Sequence, residues 1–158
     1  TDHVPEDSPS ATALREMKRI DPSFEVAEFL SGARGAYEMI LMAFERGELE
    51  DIQSFLSADV FETFESVVAA RRDQGLTIEA EFIGVQKIAI NEATFVDTSG
   101  LAEVTIRIIG ELTNVVRNAE GDVVEGHETS PKKQKDIWTF ARVMGTDDPN
   151  WQLVATGE

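Results

Sequence analysis

The sequence predicts an α+β domain, with N-terminal helices packed on one face of a curved antiparallel sheet. Three observations predict it. Apolar residues recur at steps of three and four from Val26 to Phe44, the signature of a helix with one buried stripe. From Leu101 to Val116 the period changes to two: Val104, Ile106, Ile108 and Leu112 alternate with Glu103, Thr105, Arg107, Glu111 and Thr113, as in a strand with one buried face. Thr98-Ser99-Gly100, Asn118 to Asp122 and Thr146 to Asn150 are turns short enough to join antiparallel neighbours. A sheet covered on one face in a domain this small can form a cone, with an apolar cavity between the main helix and the sheet.

Residues 1–10 are rich in proline, serine and acids and read as a disordered or linker segment. Residues 11–20 can form a short helix with Leu14, Met17 and Ile20 on one face. Asp21-Pro22 breaks it and opens the next helix. The expected organisation is a linker and short helix over 1–22, then one domain over 23–158. The main helix is expected from Ser23 to Arg46, its stripe made by Val26, Phe29, Leu30, Ala33, Ala36, Tyr37, Ile40, Leu41 and Phe44. Gly32, Ala33, Gly35 and Ala36 narrow its middle, which would let a sheet or second helix approach closely, at about 1 kcal/mol of propensity per glycine. Gly47 ends it.

Glu48 to Leu56 reads as a short helix. Ser57 then caps a second long helix to Asp73, with Val60, Phe61, Phe64, Val67 and Val68 inward. Thr77 to Ile90 and Ala93 to Val96 read as strands or as one bent strand. Lys132 to Met144 and Trp151 to Ala155 read as the last two.

The length, 158 residues, suits a single core. The net charge of −16 is spread over both halves and argues against nucleic acid as a main partner, since phosphate binding needs clustered Lys and Arg. It also argues against adhesion of the whole surface to anionic lipid. There are no cysteines, which excludes disulfides, thiolate chemistry and cysteine metal sites. No apolar run approaches the roughly 18 residues of a membrane span, and no signal peptide is visible. The chain starts at Thr1, so it is expected to be a fragment or a processed product.

The C-terminal runs Asp136 to Arg142 and Asp148 to Thr156 hold both tryptophans. Together with Phe29, Gly32-Ala33, Ala36-Tyr37, Ile40, Ala43-Phe44, Gly47, Val104 to Arg107 and Val124-Glu125-Gly126, they resemble the C-terminal domain of the import-motor adaptor of the mitochondrial inner-membrane translocase and its bacterial relatives. The resemblance spans roughly residues 24–156. It implies the helix-plus-cone architecture of nuclear transport factor two. It also implies a non-enzymatic adaptor at the inner membrane that binds a protein partner, such as a translocase or chaperone component, and phospholipid. The strong acidity looks more bacterial than mitochondrial. An N-terminal anchor is expected outside this fragment, with the domain on the cytoplasmic, matrix-equivalent side.

Four groups of residues are candidates for function. Trp138 and Phe140 share a strand face with Asp136, and Tyr37, Ile40, Phe44 and Phe64 face them from the helices; this set either lines an apolar pocket or fills the core. Glu45, Glu48, Glu50, Asp51, Asp59, Glu62 and Glu65 form an acidic helical stretch able to receive a basic partner segment. Lys132, Lys133 and Lys135, beside Pro131, are the one basic cluster, either a headgroup contact or a guarded strand edge. His127, in a loop, could pair with Asp136 at the start of a strand as an acid/base couple; the plain reading is an exposed histidine and a structural aspartate. Asp136 and Arg142 lie too far apart along one strand to pair, and Arg107 is expected to meet an acid across the sheet. The acid spacing does not fit a calcium loop, and no metal or cofactor is expected. The rival readings are a small-molecule dehydratase or isomerase using the same cone, and a dimerisation module burying the open sheet face.

Overall fold

A computed structural model of the chain describes residues 3–158, so residues 1 and 2 of the expected N-terminal linker lie outside the described residues. The order is α1 (Pro9–Ile20), α2 (Val26–Arg46), a 3-10 helix (Glu50–Phe55), α3 (Ala58–Asp73), then β1 (Thr77–Val96), β2 (Leu101–Arg117), β3 (Val123–Val143) and β4 (Gln152–Gly157). The strands form one antiparallel meander, β1-β2-β3-β4.

Ser8 caps α1: its Oγ accepts the Ala11 N–H at 3.1 Å. Ala11, Ala13, Leu14 and Met17 are buried, and Val4 joins them from the segment before the helix, while Ile20 is exposed. This helix packs against β1 within the same hydrophobic core as α2 and the sheet. Ser10 Oγ accepts the Ala93 N–H at 3.1 Å, satisfying a donor of the sheet.

The second helix begins at Val26 rather than Ser23. Residues 21–24 close a turn first, Phe24 N–H donating to the Asp21 carbonyl at 2.9 Å and Ser23 N–H to Asp21 Oδ1 at 3.1 Å. It ends at Gly47, whose φ of 74° is left-handed. Phe29, Leu30, Ala33, Tyr37, Ile40 and Leu41 are buried along the expected stripe, each large apolar side chain contributing about 1.5–3 kcal/mol. The expectation for Gly32 and Gly35 fails. Both are exposed, with nothing within 4 Å of where a Cβ would stand, because they lie outside the stripe that meets the sheet.

Ser57 caps α3, its Oγ accepting Val60 N–H at 3.2 Å. Val60, Phe64 and Val68 are buried and Phe61 is partly buried against the core, as expected, but Val67 is 39% exposed. In the sheet, β1 is one bent strand. Its register slips between Phe82 and Gly84, Val85 and Lys87, and Ile90 and Glu92; such bulges bend a strand and blunt its free edge. The third strand starts at Val123, nine residues before the expected Lys132. Gly126, with φ 84°, pairs with Val115 where a Cβ would strike the Asn114 carbonyl; the register slips between Val116 and Arg117, and residues 128–131 loop out between the Asn114–His127 and Leu112–Lys132 pairs. Those irregularities hide the strand from a test of alternation.

Candidate functional site

Around Tyr37 the space between the main helix and the sheet is filled by side chains, while a cleft of about 420 Å³ opens nearer the start of α2, lined by Phe24, Phe29, Ala33, Ala36, Phe140 and Trp151. Tyr37 and Ile40 are fully buried, and Trp138 and Phe140 nearly so. Tyr37 lies against β2 at Gly110, where a Cβ would stand 2.7 Å from its ring. Its ring centroid is 4.8 Å from that of Trp138. Its hydroxyl donates to Asp136 Oδ2 at 2.7 Å, and Gln134 Nε2 donates to the same oxygen at 3.0 Å. Burial, then the bond to the Asp136 carboxylate, holds the Tyr37 phenol well above its ordinary range. Burial also raises the Asp136 carboxyl, against the two donors, which lower it.

Asp136 is therefore not at a strand start. It sits inside β3, paired with Ile108 of β2. His127 is not in a loop either: it stands in β3, paired with Asn114 and exposed, and its Nδ1 accepts the Thr129 and Ser130 N–H groups at 3.1 Å. Their partners Asn114 and Ile108 stand six positions apart on β2, so the imagined His127–Asp136 couple is not assembled. His3 is exposed.

Of the six pocket candidates, Phe44, Phe64 and Trp138 line an open cleft of about 240 Å³, together with Leu41 and with Gln134, Asp136, Thr156, Gly157 and Glu158 at its mouth. Phe44 is half-buried, its ring 4.7 Å from Phe64 and covered by the Arg71 guanidinium at 4.4 Å.

Glu45 leaves the acidic surface. It is 7% exposed, accepts from Asn114 Nδ2 at 3.2 Å and stands 3.6 Å from Arg71, because its position on α2 turns toward the sheet. Glu48, Glu50, Asp51, Glu62 and Glu65 are exposed. Glu48 and Asp51, joined by Glu38 and Glu81, rim a groove of about 570 Å³ whose floor is Met39, Met42, Ala43, Ile52 and Phe82; Arg46 is its single cation. Glu48, Glu50, Asp51 and Glu65 border a second groove, of about 600 Å³, between the 3-10 helix and α3. Glu62 borders neither.

Lys132, Lys133 and Lys135 are exposed on β3. Arg107 makes no ion pair among the described residues: its strand neighbours are Ala89 and Ile137. Arg142, as expected, does not meet Asp136. It pairs with Asp21 at 3.0 Å, tying the turn before α2 to β3. Among the described residues, no three His, Asp or Glu groups cluster as a metal site.

The family model for the Tim44-like domain matches residues 10–158. The chain belongs to this family. The helices-then-meander order of this Tim44-like domain is the α+β cone architecture expected from the sequence. Mitochondrial import inner membrane translocase subunits are similar to it. The tin-44 protein of Caenorhabditis elegans is 26% identical over 145 residues, 89% of this chain and 34% of that protein. Human TIM44 is 22% identical over 89% of this chain and 31% of its own length, and TIM44-1 of Arabidopsis thaliana is 20% identical over 91% and 31%. The Tim44-like domain thus spans about a third of the length of these relatives. The intermembrane-space region of the chloroplast protein ARC6 matches 91% of this chain and 94% of its own, at 12% identity and a TM-score of 0.47, too slight a likeness to carry an argument. Among the described residues, no helix is long and apolar enough to cross a membrane.

Sequence reasoning missed the Met39–Met42 groove, the Glu45–Asn114 contact and the Asp21–Arg142 pair. A signal for the first was present: Met39 and Met42 fall three apart, off the Tyr37 stripe, and so mark a second apolar row on α2.

Proposed function

We propose that this Tim44-like domain is a non-enzymatic adaptor at an inner membrane that receives a basic amphipathic segment of a protein partner. The observation that carries the reading is the groove beside α2. Its apolar floor of Met39, Met42, Ile52 and Phe82 lies under four carboxylates, Glu38, Glu48, Asp51 and Glu81, against one cation, Arg46. An amphipathic helix laid there buries its apolar side and places basic residues at the rim. Methionines adapt to varied partners, and the acidic field of a chain with net charge −16 speeds encounter with a basic one. The names of the relatives, all inner-membrane translocase subunits, support a role in which one protein is held against another. A tether outside these residues and a cytoplasmic placement belong to the same proposal, as does phospholipid contact at the Phe44, Phe64 and Trp138 cleft. Protein is favoured over lipid as the main ligand because Tyr37 and Ile40 are packed into the core and the Phe44, Phe64 and Trp138 cleft is small, about 240 Å³.

The test is titration of a fluorescent basic amphipathic peptide into the purified domain. Met39→Asp, on an exposed floor residue, is expected to weaken binding by at least about tenfold. Glu38→Lys combined with Asp51→Lys is expected to weaken it further and flatten its salt dependence. Unchanged affinity in both variants would sink the proposal.

A further inference from the structure

The face of the sheet turned away from the helices is patterned in charge. Register fixes which residues share it. Lys87, Ala89, Glu92 and Thr94 of β1 stand beside Ile109, Arg107, Thr105 and Glu103 of β2. Those four stand in turn beside Lys135, Ile137, Thr139 and Ala141 of β3. The row through Ile106, which pairs with Ile90 and Trp138 and is buried toward the helices, divides the face. Lys87, Arg107 and Lys135 lie on one side of it, Glu92 and Glu103 on the other. Lys87, Glu92, Arg107 and Lys135 are exposed and Glu103 is half-buried. None of the five is in an ion pair among the described residues. In a chain of net charge −16, a region with three cations against two acids is where a second acidic copy meets least repulsion.

We infer that two copies of this chain pair through this face, with strands antiparallel, about a two-fold axis that crosses the sheet at Ile106. A two-fold interface sets residue i on residue j and j on i. Here it lays positions equidistant from Ile106 over one another. Glu103 of one protomer falls over Ile109 of its partner, between Lys87 and Lys135, and the reverse contact repeats it. Glu92 falls over Ala89, beside Arg107. The acids and cations that find no ion partner within one protomer find one across the axis. Aligned sheets pack about 10 Å apart. The small residues Ala89, Thr105, Thr139 and Ala141 at the centre permit that approach, and the Thr105 and Thr139 hydroxyls already bond each other at 2.8 Å. A two-fold axis along β2 would instead set the cations on their own counterparts. A uniformly acidic partner would meet Lys87 and Lys135 but be repelled by Glu92 and Glu103. A second copy carries both signs at the matching spacing, about 20 Å from Glu103 to Ile109 along β2. The Met39 groove lies on the helix side of the sheet, so the pairing does not depend on it and leaves it open.

The test is sedimentation velocity of the purified chain over a range of concentration. The mass is expected to rise from 17.4 kDa toward twice that value, with a midpoint below about 1 mM. Two variants then reverse one sign each: Glu103→Lys, and Lys87→Glu combined with Lys135→Glu. Either alone brings like charges together in both halves of the interface and is expected to weaken pairing at least about tenfold. An equimolar mixture of the two brings opposite charges together again and is expected to recover the dimer, which misfolded variants could not do. A wild-type chain that stays at 17.4 kDa up to about 1 mM would overturn the inference. So would dimers unaffected by either variant, or variants of wild-type circular dichroism that stay monomeric when mixed.

Discussion

The Tyr37 hydroxyl donates to Asp136 Oδ2 at 2.7 Å, across 99 positions of sequence. With the Glu45–Asn114 bond, it is one of the polar ties in a largely apolar interface between α2 and the sheet. An apolar contact tolerates sliding, whereas a buried carboxylate without its donors does not, so the bond fixes the register of helix on sheet as well as adding stability.

Tyr37→Phe leaves the ring packing intact and strands the half-buried carboxylate with Gln134 alone. The expected cost is about 1–3 kcal/mol in urea unfolding. A loss below about 0.5 kcal/mol, the range of ordinary surface changes, would show that the bond contributes little.

The raised Asp136 carboxyl predicts a pH dependence. Between its folded pKa and the unfolded value of 3.8, the folded state holds a proton that the unfolded state has released. Stability from this group therefore falls as pH rises through that window and is regained on acidification. Comparison with Asp136→Asn removes the background of the other carboxylates. The stability gap should move in favour of the wild type as pH drops toward 3.8, then level off. A gap moving the other way would contradict the burial assigned to Asp136.

Gly110→Ala places a methyl 2.7 Å from the Tyr37 ring. Overpacking of this kind costs about 1–3 kcal/mol. The penalty should shrink in a Tyr37→Leu background, where the ring that it meets is absent. Additivity of the two changes in a double-mutant cycle would refute the contact.

Arg71→Met removes the charge beside buried Glu45 and the guanidinium over Phe44. Breaking a buried pair from one side costs about 3–5 kcal/mol, and the partial exposure of Arg71 puts the expected loss at the lower end. Glu45→Gln keeps an acceptor for Asn114 and should cost less. Thermal unfolding of both variants checks the order, and the reverse order would mean that Glu45 is not held as a buried anion.

Much of the fold was legible because periodicity reports burial. The stripe from Phe29 to Leu41, the alternation of β2 and the Ser57 cap all hold in the structure. The N-terminal half of β3 was not legible. Gly126 and the looped-out residues 128–131 break the period that would reveal it, and residues such as Val123 and Val124 are half exposed, so no buried face marks them.

The sequence by itself determined the class of fold and the family, since these follow from local pattern and order along the chain. It also held the ingredients of each surface: an acidic stretch, a lysine cluster, aromatics near the C-terminus. Only the tertiary structure decided how they combine. Tyr37 meets Asp136, Glu45 turns inward to Asn114 and Arg71, Met39 joins Phe82 across a groove, and Lys87 and Arg107 gather beside Lys135. The physical reason is that strand register and helix docking set these neighbours, and both are minimised over the whole core rather than encoded in any one segment.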